Sequence, residues 1–282
     1  MQPAMHKAQK NDPRQRRRAR VAVQAQPTTM RIAKALARAG LCSRREAERW
    51  IAQGRVSVNG ETLTGAARDV SSADRIRVDG NPLPAPAAPR LWRYHKPKGL
   101  VTTHHDPQGR ATVFDALPSH LPRVISVGRL DVNTEGLLLL SNNGALARHL
   151  ELPATGWLRR YRVRAHGIVA QRDLDRLQDG VELAGMRYGP IEALLERRQG
   201  SNVWLVIGLR EGKNREVRSV LEHLGLTVNR PIRVAFGPFQ LLDLAPGAVA
   251  PIKQRVLIEQ LGPRAAAHLG LEREPAPAAG AR

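Results

Sequence analysis

The sequence predicts an α+β protein. A small N-terminal module of two helices and a few strands precedes a larger domain built on a mixed, largely antiparallel sheet flanked by helices. Three observations predict it. Segments that alternate apolar and polar residues outnumber helical ones, and few are joined as strand–helix–strand units. Asn59-Gly60 and Asp79-Gly80 supply hairpin turns early in the chain. A Pro/Ala stretch beginning NPLPAPAAP, assigned as a linker over 81–90, divides the two parts.

In chain order, residues 1–29 are polar and basic without periodicity, and read as a disordered tail rather than as an Arg-rich transit peptide. The module spans 30–80. RIAKALARA (31–39) predicts a short helix with Ile32, Leu36 and Ala39 inward. SRREAERWIAQG (43–54) predicts a second helix, with Ser43 and Glu46 as a capping box, Ala47, Trp50 and Ile51 on one face, and Gly54 as the stop. RVSVNGETL predicts a hairpin and DRIRVDG (74–80) a further strand.

The larger domain spans 91–263. Strands are expected at LWRYHKP (91–97), ISVGRL (125–130), GLLLLS (136–141), YRVRAHG (161–167), NVWLVIGL (202–209) and NRPIRVAFGPF (229–239). Helices are expected at ALARHL (145–150), RDLDRLQDG (172–180) and NREVRSVLEHLG (214–225). Residues 264–282, rich in Ala, Pro, Glu and Arg, predict a frayed tail.

Composition narrows the partners. With 45 Lys+Arg against 25 Asp+Glu in 282 residues, the formal charge of +20 calls for a polyanion. No apolar run approaches the roughly 18–20 residues of a spanning helix, so nucleic acid is favoured over membrane. The single cysteine, Cys42, permits no intrachain disulfide and no multi-Cys zinc site, and fits a reducing, cytoplasmic setting. His104-His105-Asp106 stands without a helical His pair, so no metal is expected. The simplest assembly is a monomer.

Two helix starts carry cations where the helix dipole is already positive. Arg44 and Arg45 open one; Lys213 and Arg215 flank Asn214 at the other. Such a start suits a phosphate, unless Glu46, Glu48 and Glu216 simply neutralise it. A further oddity is VGRLDVNTEGLLLLSNNG (127–144), where Asp131 stands at the mouth of an apolar strand. It either caps a turn or does chemistry. A carboxylate there needs a cation to stay charged. Arg218 is suited: it lies beside Val217 at the rim of the apolar stripe Val217, Val220, Leu221, Leu224. Asn133 and Thr134 read as turn-formers whose side chains bond local amides. Tyr161, in RRYRVR, shares a face with Val163, and is either a core tyrosine or a stacking platform in a cleft. Glu135 is a possible second acid for a glycosidase-like hydrolase, although nothing requires it.

Residues 30–80, through RIAKALARAGLCSRREAERWIAQGRVSVNG, resemble the S4 RNA-binding module. The resemblance implies RNA contacts at Lys34, Arg44, Arg45, Arg49 and Arg55. VGRLDVNTEGLLLLSNNG, HKPKGLVTTHHDPQGRATVFDALP and EGKNREVR resemble three blocks of the Rsu family of pseudouridine synthases, and VNT after the acid is most similar to its large-subunit (23S) synthase B branch. Glu216 departs from the commoner Gln. The resemblance implies isomerisation of a flipped-out uridine in 23S rRNA without metal or cofactor. Asp131 is then the nucleophile at C1′, Arg218 its partner, and Tyr161 packs on the base. Ile232 walls the pocket, Arg129 holds phosphate or the flipped nucleotide, and Lys213 and Arg215 bind substrate. A small-subunit (16S) synthase and a non-catalytic S4-type assembly protein are the alternatives.

Overall fold

The computed structural model describes residues 29–271. The expected tails over 1–28 and 272–282 lie outside the described residues. The chain divides into two compact units, the first running to Pro84 except for Arg38–Leu41, which group with the second.

In the first unit, β1 (Met30–Arg31) pairs with β4 (Asp69–Val70), and α1 (Ile32–Arg38) and α2 (Arg44–Ala52) pack on a four-stranded sheet. That sheet runs β3 (Glu61–Thr62), β2 (Val56–Val58), β5 (Ile76–Val78), β6 (Asn81–Pro82). Its core joins Ile32, Leu36, Cys42, Ala47, Ile51, Val56 and Val58, with Trp50 half-buried beside them. Ser43 Oγ accepts from the Glu46 amide at 3.0 Å, a cap that contributes about 1 kcal/mol. The reciprocal half of the expected box is not made, because the Glu46 carboxylate pairs with Arg49 instead. Asn59 and Gly60 have φ of +55° and +93°, as a two-residue hairpin turn requires. The expected linker therefore opens as a strand, β6.

The second unit is a nine-stranded sheet. Its path is β13 (Ile191–Gln199), β14 (Asn202–Leu209), β10 (Arg159–His166), β15 (Thr227–Phe236), β9 (Glu135–Ser141), β7 (Leu91–Lys96), β17 (Val249–Pro251). β8 (Ile125–Val127) adds to β9, and β16 (Phe239–Gln240) to β15. Only β9–β15 is parallel, which agrees with the expected mixed, largely antiparallel sheet. β9 is buried throughout, so the four leucines are a central strand packed on both faces.

Two layers cover the sheet unequally. On one face, here the front, α5 (Glu216–His223) buries Val217, Val220 and Leu221 against Val163, Ala165, Leu205 and Ile207. Beside it, Tyr94, Leu130, Leu138 and Leu140 form a second front cluster. On the back, α3 (Gly144–Glu151), α6 (Gln254–Leu261) and α7 (Pro263–His268) bury Leu146, Leu257 and Ala266 against Leu137 and Leu139.

Three local expectations change. The segment expected to fray after 263 begins as α7, because Ala266, Leu269 and Leu271 find the back core. The expected helix over 172–180 is α4 (Gln171–Asp175) followed by a 3-10 turn. The helix expected from Asn214 starts at Glu216, because Arg215 takes a left-handed conformation (φ 51°). The hairpin of β11 (Val181–Leu183) and β12 (Met186–Tyr188), together with β13, has no counterpart among the expected elements.

Candidate active site

Asp131 stands in a turn between β8 and β9. The turn is closed by the Thr134 amide donating to the Asp131 carbonyl at 3.0 Å, rather than by the side chains of Asn133 or Thr134. Thr102 Oγ1 holds the Leu130 carbonyl at 2.8 Å, and the Gly99 amide holds that of Val132 at 2.9 Å.

A residue that sequence reasoning missed fixes this turn from beneath. Lys96, fully buried at the end of β7, shares the three N–H groups of Nζ among the carbonyls of Pro97 (3.0 Å), Asp131 (3.1 Å), Val132 (3.4 Å) and Thr134 (2.9 Å). Burial pushes the ammonium down to about 8, while the charges of Asp131 and Glu135 push the other way. The signal was present in the sequence: period two puts Lys96 on the same face as Trp92 and Tyr94.

Tyr161 comes from β10 on the same face of the sheet. It packs against both front clusters, the one holding Leu130 beside Asp131 and the one holding Val217 beside Arg218. A register shift between Arg160 and Tyr161 against β15 re-aims the ring locally. Arg218, half-buried on α5, feels the charge of Asp131. No ion pair joins Asp131 to Arg218 among the described residues. Instead Arg218 Nη1 donates to the Val228 carbonyl at 2.8 Å, and its Nε is buried without a partner. Burial, then Arg215, lowers the guanidinium from its usual value. Asp131 and Arg218 are thus within electrostatic reach of each other, Tyr161 packs on the two front clusters that include their neighbours Leu130 and Val217, and Arg218 keeps a donor in reserve.

The remaining expected residues divide. Arg129 and Arg215 are exposed. Ile232 packs against the back core beside β9 rather than in a front cluster. Lys213 is tied down: its Nζ donates to the Arg187 carbonyl at 2.6 Å and pairs with Glu211. Its amide donates to the Glu216 carboxylate at 3.0 Å, so this helix start directs an amide at its own acid. Burial pushes Glu216 upward. Glu135 pairs with Arg230, which leaves it as a structural acid. Arg159 and Arg233, both buried beside Phe236, were also missed.

In the first unit, Lys34, Arg44 and Arg45 are exposed and make no ion pair among the described residues. Arg49 pairs with Glu46. Arg55 binds Asp79 through two bonds of 2.9 and 2.6 Å and stacks 4.7 Å over Trp50. Among the described residues no cluster of His, Cys, Asp or Glu is grouped to hold a metal, and no helix is long and apolar enough to cross a membrane.

An acid in a buttressed turn within electrostatic reach of a half-buried arginine, with an aromatic ring packed on the adjoining clusters and a separate basic unit in the same chain, suits chemistry on a polyanion. Comparison with known proteins states the class. Residues 90–223 match the RNA pseudouridylate synthase family model and residues 30–76 the S4 domain model. The chain is 46% identical over 230 residues to an RNA pseudouridine synthase of Rickettsia felis, covering 80% of this chain and 98% of that one. It is 41% identical to the ribosomal large subunit pseudouridine synthase B of Pseudomonas aeruginosa, over 84% of this chain and 64% of that one. A crystal structure of a pseudouridylate synthase superposes with a TM-score of 0.58 at 26% identity, covering 83% of this chain and all of that one. The protein belongs to the RNA pseudouridine synthase family, with an N-terminal S4 domain.

Proposed function

We propose that this enzyme converts one uridine of large-subunit (23S) ribosomal RNA to pseudouridine, with Asp131 as nucleophile. The observation that supports the mechanism is the Asp131 turn held by Lys96, with Arg218 within reach of the acid's charge and Tyr161 packed on the adjoining front clusters. The large-subunit reading is supported by relatives of that name at 41–43% identity.

In this reading the target uridine leaves its stack and its base packs on Tyr161. The Asp131 carboxylate attacks C1′ and the N1–C1′ bond breaks, with the electron pair leaving on uracil. The base turns, C5 attacks C1′ and the carboxylate departs. The C5 proton is lost to a base and N1 takes up a proton, so the product is an isomer of the substrate. Arg218 releases its spare donor to the acid or the base as substrate enters. Arg129 and Arg215 hold flanking phosphates, Lys213 shapes the loop beneath them, and Ile232 supports the wall behind β15. Lys34, Arg44 and Arg45, with Arg49 and Arg55 at their edge, form the RNA face of the S4 unit. The enzyme works as a monomer in the cytoplasm.

The test is a pseudouridine map of both ribosomal RNAs in cells lacking the protein, then carrying it. Loss of one 23S site, restored by wild type and not by Asp131→Asn, is expected. A missing 16S site overturns the subunit, and restoration by Asp131→Asn overturns the nucleophile.

A further inference from the structure

The back of the sheet carries a second charged surface, on the side away from Tyr161 and Arg218. Where β13, β14 and β10 lie side by side, their front residues Leu195, Leu205, Ile207 and Val163 enter or pack against the core under α5. The alternating residues point the other way. Across four strands, Arg230, Arg164, Trp204 and Arg197 stand in register. The next row holds Arg162, Val206 and Leu194, and the next Arg160, Gly208 and Glu192. Trp204, Val206 and Leu194 belong to none of the cores, and Leu194 is 56% exposed. Trp204 is covered by guanidinium groups instead, with Arg162 at 4.5 Å and Arg197 at 5.7 Å from its ring.

The acids on this face are already engaged, including Asp175 of α4, which borders Arg160 and Leu194 and accepts from Gln171 Nε2 at 2.7 Å. Glu196 bonds Arg162 at 2.7 Å and Glu192 lies 3.6 Å from Arg210. Arg230 pairs with Glu135. Arg160, Arg164 and Arg197 have no acidic partner among the described residues. Strand spacing and rise spread these three over about 10 by 13 Å. A nucleic-acid duplex carries one charge per roughly 1.7 Å of axis, so such a patch meets several phosphates at once.

We propose that this back face binds the phosphate backbone of a second segment of the same RNA, while the target uridine occupies the front. Charge selects this occupant. The face offers three uncompensated guanidiniums and one exposed leucine, which suits a polyanion and not an apolar protein surface. Trp204 acts as a platform that keeps Arg162 and Arg197 extended. The proposal rests on RNA as substrate class, which the family establishes, and not on which subunit is modified.

The test uses the full chain with Arg160→Gln, Arg164→Gln and Arg197→Gln combined. These side chains lie on the sheet face away from Tyr161 and Arg218 and outside the cores. Affinity for 16S and 23S transcripts is measured over a salt series, and turnover on a short hairpin carrying the mapped uridine. The slope of log K against log salt is expected to fall by about 2 to 3, with hairpin turnover within twofold of wild type. A photo-crosslinking residue placed at Leu194 is expected to capture RNA. An unchanged slope overturns the proposal, as does equal loss on the hairpin. Capture of a second copy of the protein, with no RNA, also overturns it.

Discussion

Lys96 shows how a single buried charge positions the turn that carries Asp131. Desolvation opposes its charged form, and four carbonyls offset that cost as long as the amine keeps its protons. Lys96→Met removes the donor and the desolvated charge together. Activity is therefore expected to fall by about a hundredfold while stability changes by less than about 2 kcal/mol; a melt beside a turnover assay separates the two. The pH dependence has a definite sign. The folded ammonium releases its proton near 8, whereas an ordinary lysine does so at 10.5. Between these values the unfolded chain binds more protons, so this group adds stability as pH rises. Activity moves the opposite way, because a neutral amine has fewer hydrogens for the same carbonyls. Opposite slopes between these two pH values in wild type, absent from Lys96→Met, are expected.

Arg218 poses the complementary case of a buried donor without an acceptor. An unpaired buried donor costs about 1–3 kcal/mol until something accepts from it. Arg218→Met is expected to keep the fold, since Val217, Val220 and Leu221 hold α5, and to lose at least about a hundredfold in turnover. Near-normal turnover on a validated substrate removes Arg218 from the mechanism.

Among the elements, the parallel seam of β9 and β15 is the most constrained. Gly136 has φ of +106°, and a Cβ there would lie 2.7 Å from the Arg233 amide nitrogen and nearer still to its carbonyl oxygen. No side chain fits without parting β9, which follows the Asp131 turn, from β15. Gly136→Ala is expected to destabilise the second unit by about 3 kcal/mol or more in urea unfolding. The far edge of the same sheet is protected differently. Gln171 on α4 donates to the Ala193 carbonyl at 2.9 Å and accepts from the Leu195 amide at 2.8 Å, so its amide stands where another strand would pair with β13.

For the whole molecule, the +20 charge matters through where it is left uncompensated. Arg49 and Arg55 are neutralised by Glu46 and Asp79. Lys34, Arg44 and Arg45 are not. Replacing those three with Gln is expected to lower the salt slope of RNA binding by about 0.9 for each phosphate they neutralise in the complex. The same change at Arg49 and Arg55 should have less effect. Equal slopes for both variants disconnect the S4 unit from phosphate binding.

Much of this was legible from local pattern. The capped helix at Ser43, the Asn59-Gly60 hairpin and the buried leucine strand after Asp131 are written in periods, caps and turns a few residues long. Asp131 itself was conspicuous, because a carboxylate beside four leucines violates the local pattern. What the sequence by itself determined is therefore the elements, the acid and the appetite for a polyanion. Tertiary structure alone decided the neighbours. It put Lys96 under a turn some 35 residues away, withheld Arg218 from a direct pair with Asp131, and turned the alternate arginines of β10 onto the face opposite α5. Those outcomes depend on long-range register and on competition for the same charges, and neither is encoded in the spacing of residues along one strand or helix.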